Sequence, residues 1–302
     1  MTESKVIINR ISTGIPGLDR ILGGGLPEYS FNLIAGPPGA GKTTLSQQIM
    51  FANASPDRPV IHFTVLGEPP LKMLRYQQQF DFFDASKVET VIRYRNLSEE
   101  VLSGDLDRVL ESIVREVEQS SPELVVVDSF RTVVRAARAG EESPVQKFLQ
   151  QLSLHLASWE ATSFLIGEYQ EAEVLDNPVF TVADGILWLH QQTERNSVMR
   201  KLQAVKVRGQ APMPGLHTFR ITSSGLKIFP RSDLHVSAEN IERPTERIST
   251  GVTGFDAMLG GGFLPGDSVL LAGPSGSGKT TLGTHFVTAG AAAGERAVIA
   301  VF

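Results

Sequence analysis

One stretch of this chain occurs twice, and the second occurrence limits what the chain can fold into. RISTGIPGLDRILGGG at residues 10–25 returns as RISTGVTGFDAMLGGG at residues 247–262. The offset is 237 at the start of this stretch (247 − 10) and still 237 at a glycine-rich loop further on (273 − 36). Aligned without a gap, residues 10–54 and 247–291 match at 23 of 45 positions. A constant offset with that much identity is a tandem duplication, and each copy must build the same local structure. The first copy spans residues 1–230. A polar segment at 231–246, with four acids, two arginines and Pro244, reads as a linker. The second copy occupies 247–302, about a quarter of the first.

Within the first copy, short apolar runs alternate with helical patterns. FNLIAG (31–36), PVIHFTV (59–65), ELVVVDSF (123–130), TSFLIGEY (162–169) and GILWLHQ (185–191) read as strands. ELVVVDSF is continuously apolar, as strands buried on both faces of a parallel sheet tend to be. Leu106, Val109, Leu110, Ile113, Val114 and Val117 recur at helical spacing and give one apolar face. A second helix is expected over 146–159, with Phe148 and Trp159 in the core and His155 structural. LQAVKV (202–207) and HTFRIT (217–222) read as a late antiparallel addition. The expected fold is α/β, a mostly parallel sheet with helices on both faces, followed by an incomplete second copy that reads as a βαβ piece.

The chemistry is concentrated in GPPGAGKTT, residues Gly36, Pro37, Pro38, Gly39, Ala40, Gly41, Lys42, Thr43 and Thr44. An apolar strand leads into it and a helix leaves it. Glycines let backbone N–H groups wrap a phosphate, lysine supplies a mobile cation, and the threonine hydroxyl is a ligand for Mg²⁺. The helix N-terminus adds a dipole that favours an anion. The second copy repeats the loop as Gly273, Pro274, Ser275, Gly276, Ser277, Gly278, Lys279, Thr280 and Thr281, with Thr280 as the corresponding metal ligand. Asp128 closes the strand LVVVD, where such proteins place the acid that orients the Mg²⁺ shell. Glu68, just past the second strand, is the first candidate to orient an attacking water. Glu168, ending TSFLIGE, competes for that role or for sensing the terminal phosphate. RTVVRAAR (131–138) reads as a solvated loop, with a pore or subunit contact as the alternative.

Composition excludes several classes. With no cysteine in the chain, thiolate metal sites, thiol nucleophiles and disulfides are out. A net charge of −5, with no basic–aromatic stretch, argues against nucleic acid as a partner. No apolar run is long enough to cross a bilayer, and the start lacks a secretory pattern, so no membrane is expected and the cytoplasm is the default.

The repeated ISTG-x-x-G-x-D-x-x-LGGG lead-in, the two loops and the Asp128 strand together resemble the KaiC family of RecA-like P-loop ATPases. That resemblance implies ATP and Mg²⁺ as cofactors and self-association, with ATP at subunit interfaces of a homohexameric ring. It extends to KVRG at 206–209, where the family carries a similar K-x-R-G. Lys206 and Arg208 are thereby candidates to reach a neighbouring subunit's γ-phosphate. It departs after the second strand, where the family places adjacent glutamates in a run like T-F-E-E and this chain has Leu66, Gly67 and Glu68. Only the second acid is present, and the first is commonly taken as the catalytic base.

The function implied is slow, Mg²⁺-dependent ATP hydrolysis in the first domain, regulatory in character, with a signalling protein as a possible partner. The alternatives are a nucleotide-driven assembly switch with crippled hydrolysis and, further off, a recombinase or helicase. The second copy ends before its own Mg²⁺-orienting strand, trans-acting pair and phosphorylatable Ser and Thr. It is expected to be the front of a longer domain, without autokinase activity.

Overall fold

The computed structural model describes residues 8–65, 70–136, 142–174, 177–194, 197–231 and 245–301. They fall into two units, Met1–Ser232 and Asp233–Phe302.

In chain order the first unit runs β1 (Arg10–Ile11), α1 (Leu18–Leu22), β2 (Leu26–Pro27), β3 (Phe31–Gly36), α2 (Lys42–Asn53), β4 (Val60–Thr64) and α3 (Pro70–Gln77). It continues with β5 (Ile92–Asn96), α4 (Ser98–Leu102), α5 (Leu106–Ser120), β6 (Leu124–Asp128), α6 (Phe130–Ala136), α7 (Glu142–Ser158) and β7 (Thr162–Glu168). Then come α8 (Pro178–Val182), β8 (Gly185–Glu194), β9 (Ser197–Val207), β10 (His217–Thr222) and β11 (Gly225–Phe229).

β3 to β11 form one nine-stranded sheet in the order β11-β10-β9-β8-β3-β7-β6-β4-β5. Strands β8, β3, β7, β6, β4 and β5 are parallel, and β9, β10 and β11 extend the β8 side as antiparallel neighbours. The expected α/β architecture and the late antiparallel strands are both present.

Alternation along each strand splits the core into two layers. Leu33, Phe63, Val125, Val127 and Leu165 face the layer holding Val109 and Ile113 of α5 and Leu149 and Leu152 of α7. Ile34, Val126, Phe164 and Ile166 face the other, with Leu45 and Ile49 of α2. Both faces being covered explains why the central strands read as unbroken apolar runs. Helix α5 starts where Asp105 accepts from the backbone N–H of Asp107 at 3.0 Å and of Arg108 at 3.3 Å, a side-chain cap. Its Leu106, Val109, Leu110, Ile113 and Val117 are buried, as their spacing predicts. Phe148 is buried, and His155 stacks on Trp159 with centroids 5.4 Å apart.

The duplicated lead-in is a small hydrogen-bonded device. Asp19 accepts from the Ser12 hydroxyl at 2.5 Å, the Thr13 N–H at 2.8 Å and the Thr13 hydroxyl at 2.7 Å. Asp256 accepts from Ser249 and Thr250 in the same way. In both copies the glycine after the threonine has a positive φ and lies against the helix behind the phosphate loop. A Cβ on Gly14 would meet that of Ala52 at 2.3 Å, and one on Gly251 would meet that of Ala289 at 2.7 Å.

The second unit has α9 (Thr253–Met258) and α10 (Lys279–Ala292), with Phe263 packed edge-on against Phe255 and Phe286. Here the sequence reading needs correction. Among the described residues, the runs expected to be strands of a βαβ piece carry no ladder, and the unit has only the isolated bridge Ile248–Phe263. Leu270 is 88% exposed and Val298 is 92% exposed. The first copy gives the reason. Its equivalents of these two runs, β3 and β4, are not neighbours, because β7 and β6 lie between them. Residues 247–302 contain no counterpart of either intervening strand.

Candidate active site

β3 delivers the chain at Gly36 to the phosphate loop, and α2 begins at Lys42. Gly36 has φ +143°, and a Cβ there would stand 2.1 Å from the Leu189 carbonyl oxygen of β8, so only glycine lets the loop leave this close to its neighbour. Gly41 caps α2 in the left-handed region at φ +100°. Lys42 is 7% exposed, and its Nζ donates to the Pro37 carbonyl at 2.7 Å, inside the loop. Burial lowers its pKa, and the charges of Glu168 and Asp128 oppose that shift.

The strand order sets the rest of the site. β7 lies between the loop strand β3 and the acid strand β6, so three strand ends meet side by side. Gly36 is in register with Glu168, and Asp128 with Ile166. The Thr43 hydroxyl donates to Asp128 Oδ2 at 2.6 Å. Burial raises the Asp128 pKa, while the Thr43 hydrogen bond and the Lys42 charge hold it down. The Asp128–Ser129 peptide is cis.

In front of the loop lies a cleft of about 580 Å³, lined on one side by Lys42, Thr43, Asp128 and Glu168. Its other wall was not anticipated from the sequence. It is α3, through Met73, Tyr76 and Gln77, with Phe80 from the turn that follows the helix. Gln77 is fixed there by the Tyr94 hydroxyl, which donates to its Oε1 at 3.0 Å. Proline at the first helical position of α3, after a strand end, is the sequence pattern that could have revealed this wall.

Thr43 and Asp128 offer hard oxygen ligands at one spot beside a cation-lined loop. That set fits Mg²⁺, which keeps several waters and takes one or two protein oxygens together with phosphate oxygens. Among the described residues no group of three or more His, Cys, Asp or Glu is placed to hold a metal ion alone.

The other candidates are placed differently. Glu68 lies outside the described residues, as do Leu66 and Gly67. Lys206 and Arg208 stand at the opposite edge of the parallel sheet from the loop, because β9 runs antiparallel and its Lys206 pairs with Ile186 near the start of β8. Lys206 Nζ donates to the Thr181 carbonyl at 3.2 Å, and Arg208 forms an ion pair with Asp184 at 2.8 Å. Neither is brought to the loop of its own chain. In the second unit, Gly278 caps α10 as Gly41 caps α2, and Lys279 Nζ donates to the Gly273 and Pro274 carbonyls at 2.9 and 2.6 Å.

A glycine loop leaving a central parallel strand into a helix, with an acid two strands away and a third strand end between them, defines a RecA-like P-loop protein. Comparison with known proteins narrows the class. A family model described as ATPase: KaiC matches residues 11–233 and 248–302. The chain belongs to the KaiC ATPase family. It is 30% identical to the circadian clock oscillator protein KaiC of Synechococcus elongatus over 304 residues, covering 97% of this chain and 57% of that protein. The KaiC of Picosynechococcus is 29% identical, with 97% of this chain and 58% of the relative covered. The chain thus spans a little over half the length of these relatives. Among solved structures, a KaiC-like protein from Pyrococcus horikoshii superposes with a TM-score of 0.63 at 25% identity, covering 74% of this chain and 100% of that one.

Proposed function

We propose that the first unit binds ATP with Mg²⁺ in the cleft before its phosphate loop and hydrolyses it slowly at the interfaces of a homo-oligomeric ring, in a regulatory role. Lys42 and the loop N–H groups hold the phosphates, and Thr43 and Asp128 hold the metal. When bound, Mg²⁺ would draw charge from the phosphate oxygens. Glu168 faces the cleft at the loop edge, where it can accept a hydrogen bond from a water; Glu68 remains its competitor. The second unit, on this reading, is the front of a second KaiC domain.

One observation carries the interface part of the reading. Lys206 and Arg208 lie at the edge of the sheet opposite their own loop. Two cations there can stabilise a transferring phosphoryl group only if a neighbouring copy delivers them. Mixing tests this directly. Lys42→Ala and Arg208→Ala chains are each expected to release little phosphate alone. An equimolar mixture should recover about one quarter of wild-type turnover, the chance that an intact loop faces an intact arginine in a ring of shuffled copies. A mixture as inactive as its parts would overturn the trans reading.

A specific observation favours one alternative, an assembly switch with crippled hydrolysis. Gly67 stands where the family carries the first of its two glutamates. On that reading ATP closes the ring with turnover far below that of a Gly67→Glu variant.

A further inference from the structure

Arg131 belongs to a stretch whose sequence suggests a solvated loop. Residues 131–136 are instead helical, and 137–138 lie outside the described residues. The Arg131 side chain is only partly exposed and makes four contacts. Its Nη1 donates to the backbone carbonyl of Glu168 and to Glu173 Oε2 at 2.8 Å, and its Nη2 donates to Glu173 Oε1 at 2.6 Å. The guanidinium also lies over the Tyr169 ring, 5.1 Å from its centroid. Glu173 in turn accepts from the Gln170 N–H at 2.7 Å, closing the turn that follows β7.

These contacts join two strand ends. Arg131 sits in the first turn of α6, three residues beyond Asp128, and among the described residues the groups it binds belong to 168–173, where the chain leaves β7. Glu168 itself is exposed and lines the cleft with Lys42 and Asp128. Its side chain can hold one direction only if the backbone carrying it is fixed, and beyond Glu168 the β7 ladder ends. A planar fork is suited to this task. It spans a carboxylate bidentately and stacks on an aromatic face, which a lysine ammonium cannot do. With its donors so engaged, Arg131 is not a spare cation for a pore or a phosphate.

We infer that Arg131 is a positioning residue: its fork on Glu173 and the Glu168 carbonyl holds the Glu168 carboxylate at the edge of the phosphate loop. The inference rests on the proposed hydrolysis in this cleft and assigns Glu168 a part in it. Misplacing a group by about 1 Å can cost roughly a hundredfold in rate, so a loosened Glu168 should show in kcat rather than in ATP affinity.

The test uses Arg131→Met, Arg131→Lys and Glu173→Gln, each alone and in a Glu168→Gln background, in the full chain. Steady-state phosphate release, Mg·ATP affinity and amide hydrogen exchange are measured for each. Arg131→Met and Glu173→Gln are expected to lower kcat roughly tenfold or more, with ATP affinity within about twofold of wild type. Faster exchange should be confined to residues 168–173, and Arg131→Lys should recover little. In the Glu168→Gln background neither change should lower kcat further, because the group being positioned is already gone. Unchanged kcat, an equal loss in both backgrounds, or faster exchange throughout the unit would overturn the inference while leaving hydrolysis in place. If the wild-type chain releases no more phosphate than Lys42→Ala, the functional reading fails, and this inference fails with it.

Discussion

His62 is a histidine in the wrong solvent. It lies in β4, fully buried, beside Tyr94 at 5.3 Å between ring centroids, and neither ring nitrogen has a hydrogen-bond partner among the described residues. Burial lowers its pKa from 6.5 to about 4. The unfolded chain therefore gains a proton as pH falls through 6.5, while the folded chain gains it only near 4. Stability is full above that window and is lost as pH falls through it. Between about pH 7.5 and about pH 5 the linkage is worth roughly 2 kcal/mol, from 1.36 kcal/mol per unit of displacement. His62→Leu should remove this loss and spare the core two unsatisfied polar atoms. The assay is urea unfolding at both pH values, followed by the fluorescence of Trp159 and Trp188, the two tryptophans, both in the first unit. Other groups titrate equally in the two proteins, so the difference of differences isolates His62. The wild type should lose about 2 kcal/mol more than the variant on acidification. An equal loss in both would refute the reasoning.

Two further outcomes follow from the loop. Gly36→Ala should destabilise the first unit by at least about 2 kcal/mol, read as a lower urea midpoint, because its Cβ would collide with the Leu189 carbonyl in a left-handed conformation. Asp128→Asn keeps the shape but removes the charge of the oxygen that accepts from Thr43 and would help hold the metal. Mg²⁺ titration of phosphate release should show a roughly 10- to 100-fold weaker apparent affinity.

Much of this was legible in the sequence because the physics is local. The loop depends on glycines and a helix start, α5 on one apolar face, and the lead-in on a stretch repeated in both copies. What escaped depends on neighbours distant in sequence. β5 alternates as Ile-Arg-Tyr-Arg because it is the outermost parallel strand, so it lacks the unbroken apolar run of a central strand. The α3 wall of the cleft is defined by what it faces, not by its own pattern. Arg131 reads as an exposed cation until residues 168–173 are brought beside it. The second copy contains strand-like runs, but whether such runs pair is a property of the sheet order, which places two other strands between them.

The central claim is that the first unit, where loop, acid and neighbouring strand end meet, carries the phosphate chemistry. Steady-state phosphate release from ATP should therefore be compared for the wild type, Lys42→Ala and Lys279→Ala. The account predicts that turnover disappears in Lys42→Ala and stays near wild type in Lys279→Ala. Turnover that survives Lys42→Ala, or that disappears in Lys279→Ala, would contradict it.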